Sequence, residues 1–492
     1  MHKVHDLIVI GAGPAGLSAA AHAQKNNLDV LVIEKGEIGN TIFDYQKRKY
    51  VMAEPGTIPL RSDVSFQADT RESILDKWNA IVGELGLTIH RPEAVRAVLR
   101  DADGFTVKSD KGEYRCRYVV VAIGIQGNPR TLKVPGENLP HVSARLQDPF
   151  IYQNEDILMV GAGDAAIEGV LALCEKNRVS VVNRNTEFYR LKDALDRELN
   201  QKVTAGQVTA YHSAAVERVE EGYTYLKLPD RMVKVKADRV FVRIGAEVPR
   251  PFLEKIGIAF ASQEPTAPPV LSEQYETSVP GLYMIGAAAG YNLIKQGMNQ
   301  GYDVVEHILG RPVEPVDEPI MREKLKLFPG TTDDRLRRIL STVPLLSGVP
   351  KQVLRELILE SKVHQVRQGA LIFKENDFSD SFYIILDGSV HVSFAAQTAE
   401  EKPILIQCGE FFGEMSLLSG RRRSATVEAA EASVLIETPR KGILRLLNME
   451  PSVKRAINET FVARAFSAYL LPDASPAFLR ELASKSQACS FK

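Results

Sequence analysis

The stretch that most constrains this chain is Asp6–Ala20, DLIVIGAGPAGLSAA. Leu7–Ile10 is a short apolar run of the kind found in a parallel strand buried on both faces. Gly11, Gly13 and Gly16 follow at G-x-G-x-x-G spacing, with Pro14 and Ala15 between them, and a helix of small residues begins. The three glycines serve, in turn, a tight turn, room for a pyrophosphate, and close contact between helix and strand. The helix N-terminus offers unpaired N–H groups to phosphate oxygens. A second strand, Val30–Ile33, ends in Glu34, whose carboxylate is placed to accept hydrogen bonds from a ribose. The competing reading is a doubly wound fold with an accidental glycine pattern. The strand before and the helix after the glycines favour a dinucleotide site.

At 492 residues the chain has room for about three domains. Its formal net charge of −1 implies no global attraction to nucleic acid or membrane. No apolar run approaches the roughly 20 residues needed to span a bilayer. The first strand starts within a few residues of Met1, which makes a secretory leader unexpected. Cys116, Cys174, Cys408 and Cys489 lie far apart, with neither a C-x-x-C pair nor zinc spacing, so no metal site is expected. This usage fits a reduced, cytoplasmic chain.

Thr70–Gly83 reads as a helix with Ile74, Leu75, Trp78, Ile81 and Val82 on one face. Phe105–Val107 and Tyr114–Arg117 read as a hairpin turned at Asp110–Gly112. Tyr118–Ile123 reads as a further strand ending at Gly124, and Pro129, Pro135 and Gly136 then break the pattern. The opening motif recurs after the strand Asp156–Val160, as Gly161, Gly163, Asp164, Ala165 and Ala166. Alanine at its third position is an allowed variant. The strand Val179–Asn183 ends in Asn183-Arg184, where the first unit has Glu34. Loss of the acid and gain of Arg184 suit a 2′-phosphate and so NADPH, with Arg190 as a second candidate. The alternative for Arg184 is a solvated surface arginine. Val240–Gly245 and Gly281–Gly286 are further strand-and-glycine units.

Two nucleotide fingerprints, the second nested inside a split first domain and followed by a YMIG segment, resemble the two-domain flavin disulfide reductases over about residues 4–310. The nearest look-alikes are low-molecular-weight thioredoxin reductases, thioredoxin-reductase-like ferredoxin–NADP reductases and bacillithiol-disulfide-reductase-like flavoproteins. The resemblance implies an FAD site at Gly11, Gly13, Pro14, Ala15, Gly16 and Glu34, with Lys35, Asn40, Thr41 and Gly124 beside it. Val95 would touch adenine through its backbone, and Gly286, Lys295 and Gln296 would lie near the flavin. NADPH would sit on Gly161, Gly163, Asp164, Ala165, Ala166, Asn183, Arg184 and Arg190. A homodimer is also implied. Two departures stand out. The nicotinamide domain lacks the C-x-x-C pair of thioredoxin reductases, so no internal dithiol relay is expected. The usual Gly-Asp after the last strand is Gly286-Ala287, which removes a carboxylate from the flavin site. Cys174 and Cys116 read as core residues.

Arg311–Pro319 is proline-rich and charged, as linkers are. Beyond it, Asp333–Thr342 and Lys351–Ser361 read as helices. Short strands then follow in quick succession: Val363–Val366, Leu371–Phe373, Ser381–Leu386, Ser389–Phe394, Ile404–Gln407 and Ser433–Thr438. That rhythm indicates a barrel or sandwich. Within it lies FFGEMSLLSGRRRSATV. Gly413 opens a short helix, Arg423 presents a planar fork suited to a phosphate, and Ser424 adds a donor. Glu414 would accept from a ribose 2′-hydroxyl. The stretch 335–460 resembles cyclic-nucleotide-binding domains, and the resemblance implies a cAMP or cGMP site at Gly413, Glu414, Met415, Ser416, Arg423, Ser424 and Ala425. No DNA-reading helix-turn-helix is apparent after the barrel.

LLSGVPKQVLRELILESKVHQV at Leu345 recurs as LLPDASPAFLRELASKSQACSF at Leu470, a constant offset of 125 residues. Such a repeat suggests duplicated domains. The expectation is a chain that stops short of a second cyclic-nucleotide domain, or a tail that caps the barrel or exchanges with a partner.

The expected architecture is therefore α/β: an FAD-binding doubly wound domain (1–127 and 248–310) with an inserted NAD(P)H domain (128–247), a linker (311–332), a β-barrel cyclic-nucleotide domain with flanking helices (333–460) and a helical tail (461–492). The expected function is a cyclic-nucleotide-regulated oxidoreductase. NADPH would reduce FAD, and an external ferredoxin-like protein, disulfide or quinone would take the electrons. No catalytic side chain is assigned. The alternative is a redox or nucleotide sensor with little turnover.

Overall fold

The computed structural model describes residues 3–54, 56–186, 188, 191, 193–264, 267–291, 293–379, 381–394, 403–419, 422–469 and 474–485. The chain divides into two compact units, Met1–Glu314 and Pro315–Lys492.

In the first unit Val4–Ile10 lies parallel to both Val30–Ile33 and Glu113–Val121. Thr88–His90 extends the parallel sheet beyond Val30–Ile33, and Leu282–Met284 returns from far along the chain to pair with Val119–Val121. Leu7–Ile10, Val30–Ile33 and Val119–Val121 are all buried, which is why they read as unbroken apolar runs. The two segments expected at Tyr114–Arg117 and Tyr118–Ile123 are one strand. Its first half pairs antiparallel with Gly104–Ser109 and its second half pairs parallel with Leu282–Met284, so the pattern changes with the partner. The Pro14–Lys25 helix packs against the Ile294–Ile308 helix so closely that a Cβ on Gly301 would lie 2.3 Å from the Ala15 carbonyl oxygen. Thr70 caps the Arg71–Glu84 helix through its side chain.

A second parallel sheet runs Val208–Tyr211, Arg178–Val182, Asp156–Val160, Arg239–Val242, Val142–Ser143. Beside it is a three-stranded antiparallel sheet of Ala215–Glu220, Tyr223–Lys227 and Met232–Lys236 that the sequence reading missed. Its buried face is thin, holding Val219, Thr224, Leu226 and Val235, and on the other face Arg218 stacks on Tyr225 and Lys234 on Tyr223. The available signal was Gly222 at φ +75° turning the first hairpin.

The second unit begins inside the stretch expected to be a linker. Glu318–Lys324 is a helix with Pro319 in its first turn, a position where the missing N–H costs nothing. Its Met321 is buried, Lys324 Nζ donates to the Leu359 carbonyl at 2.7 Å, and Arg355 grips Asp317 and Glu318 at 2.9 Å. Two four-stranded antiparallel sheets then face each other, ordered Lys362–Val366, Ser433–Thr438, Phe382–Asp387, Phe411–Phe412 and Leu371–Phe373, Thr426–Ala429, Ser389–Ser393, Ile404–Gln407. Phe373, Tyr383, Ile385, Val390, Phe412 and Leu435 fill the space between them. Phe411–Phe412 and Thr426–Ala429 were not expected as strands, because they flank the nucleotide motif and were read only as part of it. The Pro451–Tyr469 helix runs across the expected boundary at 460, and Leu479 of the Pro476–Lys485 helix is buried, as is its repeat partner Leu354.

Candidate functional site

The first cradle is built from the end of Val4–Ile10 and the start of Pro14–Lys25. Gly11 turns at φ +107°, and a Cβ there would meet the Ala122 carbonyl oxygen at 2.6 Å. A Cβ on Gly16 would lie 1.9 Å from the Gly11 carbonyl oxygen, so helix and turn touch. Gly13 differs, with nothing within 4 Å of its Cβ position. Room for a phosphate is therefore present where the motif predicts it. Glu34 is only 6% exposed, and its two carboxylate oxygens accept from the Ala12 N–H at 2.7 Å and the Gly36 N–H at 2.6 Å. These bonds fix the carboxylate while leaving a further lone pair on each oxygen.

Lys35 donates to the Gly127 carbonyl at 2.9 Å, and Asn40 bridges Glu37 and Asp44 beside half-buried Thr41. Val95 opens its strand by pairing with Ser109, and Gly124 follows the central strand at φ +59°. Lys295 is buried, donates to the Ile58 carbonyl at 3.0 Å, and has its ammonium pKa lowered by desolvation. Gln296 carries a buried side-chain oxygen with no partner among the described residues, as does the Gln300 amide nitrogen, which the sequence reading passed over. Orphaned buried polar atoms on the helix that packs against Pro14–Lys25 are what a cradle for a polar cofactor presents. These residues fit FAD.

The second cradle repeats the geometry. A Cβ on Gly161 would meet the Arg243 carbonyl oxygen at 2.2 Å, and Gly163 has nothing within 4 Å. Asp164 and Ala165 start the following helix, and Ala166 is buried at its base. The cavity measures about 720 Å³ and includes Gly161, Gly163, Arg184, Phe188 and Arg243 in its wall. Asn183 and Arg184 diverge. Asn183 is buried and its side-chain oxygen accepts from the Asn185 N–H at 3.0 Å, which shapes the turn. Arg184 is exposed on the cavity wall. Arg190 lies outside the described residues. Arg243 escaped the sequence reading, although it belongs to the VFVRIG segment, directly after the Arg239–Val242 strand. It donates to the Ala165 carbonyl at 3.0 Å and lies 3.2 Å from the Gln46 amide of the first sheet's domain, whose oxygen accepts from it when that amide is turned over. Lys49–Glu168 at 2.5 Å and Lys47–Asp148 at 2.9 Å tie the same two parts together.

In the second unit, Gly413 at φ +89° precedes the short Glu414–Ser419 helix. Arg423 is 2% exposed and turned inward. It donates to Ser379 Oγ at 2.7 Å, the Ser381 carbonyl at 2.7 Å and Ser416 Oγ at 2.9 Å, and its guanidinium lies 4.0 Å from the Phe373 ring centre. Glu414 is equally buried and pairs with Arg464 of the Pro451–Tyr469 helix at 2.9 Å. Ala425 is buried, Ser424 and Met415 half-buried.

Residues 8–286 match the pyridine nucleotide-disulphide oxidoreductase family, and residues 363–450 match the cyclic nucleotide-binding domain. The chain belongs to the pyridine nucleotide-disulphide oxidoreductase family. Among its relatives, the bacilliredoxin reductase Bdr of Bacillus subtilis is 29% identical over 318 residues, which cover 62% of this chain and 97% of that protein. A ferredoxin–NADP reductase of Ignicoccus hospitalis is 25% identical over 58% of this chain and 90% of its own length. The solved bacillithiol disulfide reductase Bdr of Staphylococcus aureus superposes with a TM-score of 0.58 at 26% identity, covering 63% of this chain and 99% of that one.

The oxidoreductase is thus an NAD(P)H-dependent flavoprotein working with FAD and NADPH, and it carries a cyclic-nucleotide-binding domain. Of its described thiols, Cys116 and Cys174 are buried and Cys408 is exposed. Burial pushes Cys116 up to about 12 and also raises Cys174. No helix among the described residues is long and apolar enough to cross a membrane. Arg184→Ala is expected to raise the KM for NADPH about 10–100-fold, the worth of one charge-assisted bond. NADH turnover should stay unchanged. Equal steady-state effects on both coenzymes would remove Arg184 from the 2′-phosphate site.

Proposed function

We propose that this oxidoreductase is a cyclic-nucleotide-gated NADPH reductase for an external redox protein. FAD, when bound, is the group able to take hydride from NADPH and release electrons onward. Gly11, Gly13, Gly16 and Glu34 would hold it at the first cradle. Gly161, Gly163 and Arg184 would hold NADPH at the second. The observation that carries this reading is the pair of open glycine cradles in one unit, at Gly13 and Gly163, with no accessible dithiol among the described residues to receive electrons internally. Two of the matched relatives are named for protein acceptors, a bacilliredoxin and a ferredoxin, which favours a ferredoxin-like or small dithiol protein over a quinone.

In the barrel, Arg423 and Ser424 would meet the cyclic phosphate and Glu414 the ribose 2′-hydroxyl. A ribose arriving at Glu414 competes with Arg464, which links ligand entry to the Pro451–Tyr469 helix. Gating can be no larger than the ligand's differential affinity for the two states. We place the protein in the cytoplasm, as a homodimer. The test is anaerobic rapid mixing of the yellow protein with NADPH, following flavin bleaching with and without cAMP or cGMP. Fast bleaching that changes with one nucleotide is expected. Fast bleaching indifferent to both would remove the gating, and slow bleaching throughout would favour a sensor.

A further inference from the structure

The Ile294–Ile308 helix carries two polar stripes into the interior of the first unit. Lys295, Asn299 and Asp303, spaced four apart on one face, are matched by protein. Lys295 Nζ donates to Ile58 O, Asn299 Nδ2 donates to Pro59 O at 3.0 Å, and its Oδ1 accepts from the Arg61 N–H at 2.6 Å. Asp303 accepts from the Arg61 guanidinium at 3.1 Å. The neighbouring stripe, Gln296 and Gln300, is matched only in part. Gln300 is 2% exposed, and its Oε1 accepts from the Gly286 N–H at 2.7 Å. Only the oxygen end of an amide can do that, so the N–H identifies the two ends. The amide nitrogen must face the other way, where it has no partner among the described residues. Gly286 abuts the first cradle, since a Cβ there would lie 3.2 Å from the Ala15 Cβ. Its successor Ala287 has no polar side chain to serve the site. A buried donor left unpaired is unfavourable until an acceptor arrives.

We infer that Gln300 is an FAD-anchoring residue: its Oε1 pins Gly286 at the edge of the cradle and its Nε2 donates to an oxygen of the ribityl–pyrophosphate stretch of FAD. The inference rests on the FAD site proposed above. It is tested by stripping FAD from the full chain and titrating it back, read by flavin fluorescence and by the FAD-induced shift in melting temperature. Gln300→Leu removes both bonds and is expected to weaken FAD about 10–100-fold. Gln300→Glu keeps an acceptor for Gly286 and removes the donor. Burial raises a carboxyl at this position above the ordinary carboxylate range, so the assay is run at about pH 9. The variant should then bind FAD at least about tenfold more weakly, with its own apoprotein melting temperature as the baseline for the FAD-induced shift. If Gln300→Leu fails to fold, Gln300→Glu carries the test. Wild-type affinity in Gln300→Glu overturns the role of Gln300 alone. Wild-type protein that takes up no FAD overturns both this role and the site.

Discussion

Gly13→Glu is expected to yield a folded, colourless protein with no measurable NADPH oxidation. Gly13 sits at φ −74°, ψ 179°, a conformation open to any residue, and nothing lies within 4 Å of its Cβ position. The backbone therefore accepts a side chain there. The space it would fill is the space the motif reserves for a pyrophosphate. A carboxylate at that point adds like charge to volume exclusion. The expected loss of FAD affinity is at least about 1000-fold, or roughly 4 kcal/mol. Gly16→Val makes the instructive contrast, because its Cβ would collide with the Gly11 carbonyl oxygen at 1.9 Å and the fold itself should fail. Visible absorbance and far-ultraviolet circular dichroism separate the two outcomes. A yellow Gly13→Glu protein would move the FAD site elsewhere.

Arg423→Ala is the second large effect, and it acts on the barrel in two ways. The guanidinium ties Ser379, Ser381 and Ser416 together and covers Phe373. Removing it leaves the buried Ser416 hydroxyl and the Ser381 carbonyl unmatched and a void beside Phe373, which should cost about 2–4 kcal/mol of stability in the second unit. It also removes the fork proposed for the cyclic phosphate, so nucleotide binding should fall by about 100-fold or more. Arg423→Lys separates these effects. Lysine keeps the charge but offers a point donor in place of a planar fork. It should recover part of the stability and little of the binding. Calorimetric titration with cAMP and cGMP, beside thermal unfolding, reads both. Tight binding by Arg423→Lys would show that the phosphate is held elsewhere, and under the gating reading NADPH oxidation in this variant loses its response to nucleotide.

The glycine motifs were legible because a phosphate cradle needs local geometry that few residues supply. Gly11, Gly13 and Gly16, and again Gly161 and Gly163, declare it in the sequence. The buried strands were legible for a similar reason, since burial on both faces leaves a continuous apolar run. The barrel's strand rhythm and the spacing from Glu414 to Arg423 were also read from sequence.

Other features depended on partners distant in the chain. The strand Glu113–Val121 read as two because its neighbours change midway. The prolines near Pro319 read as a linker because a proline in the first turn of a helix looks the same locally as one in a spacer. Glu414 gave no sign of Arg464, fifty residues on, nor Arg423 of the hydroxyls that hold it. Arg243 and Gln300 belong to no motif, and their chemistry arises only when a carbonyl or an amide from another segment is brought beside them.

By itself, then, the sequence determined what is encoded in consecutive residues: two glycine motifs each between a strand and a helix, a run of barrel strands around a Gly413–Arg423 motif, and four cysteines with no C-x-x-C pair among them. Tertiary structure decided which side chains are already engaged and which are left wanting a partner, because a hydrogen bond depends on distance in space and not on separation along the chain.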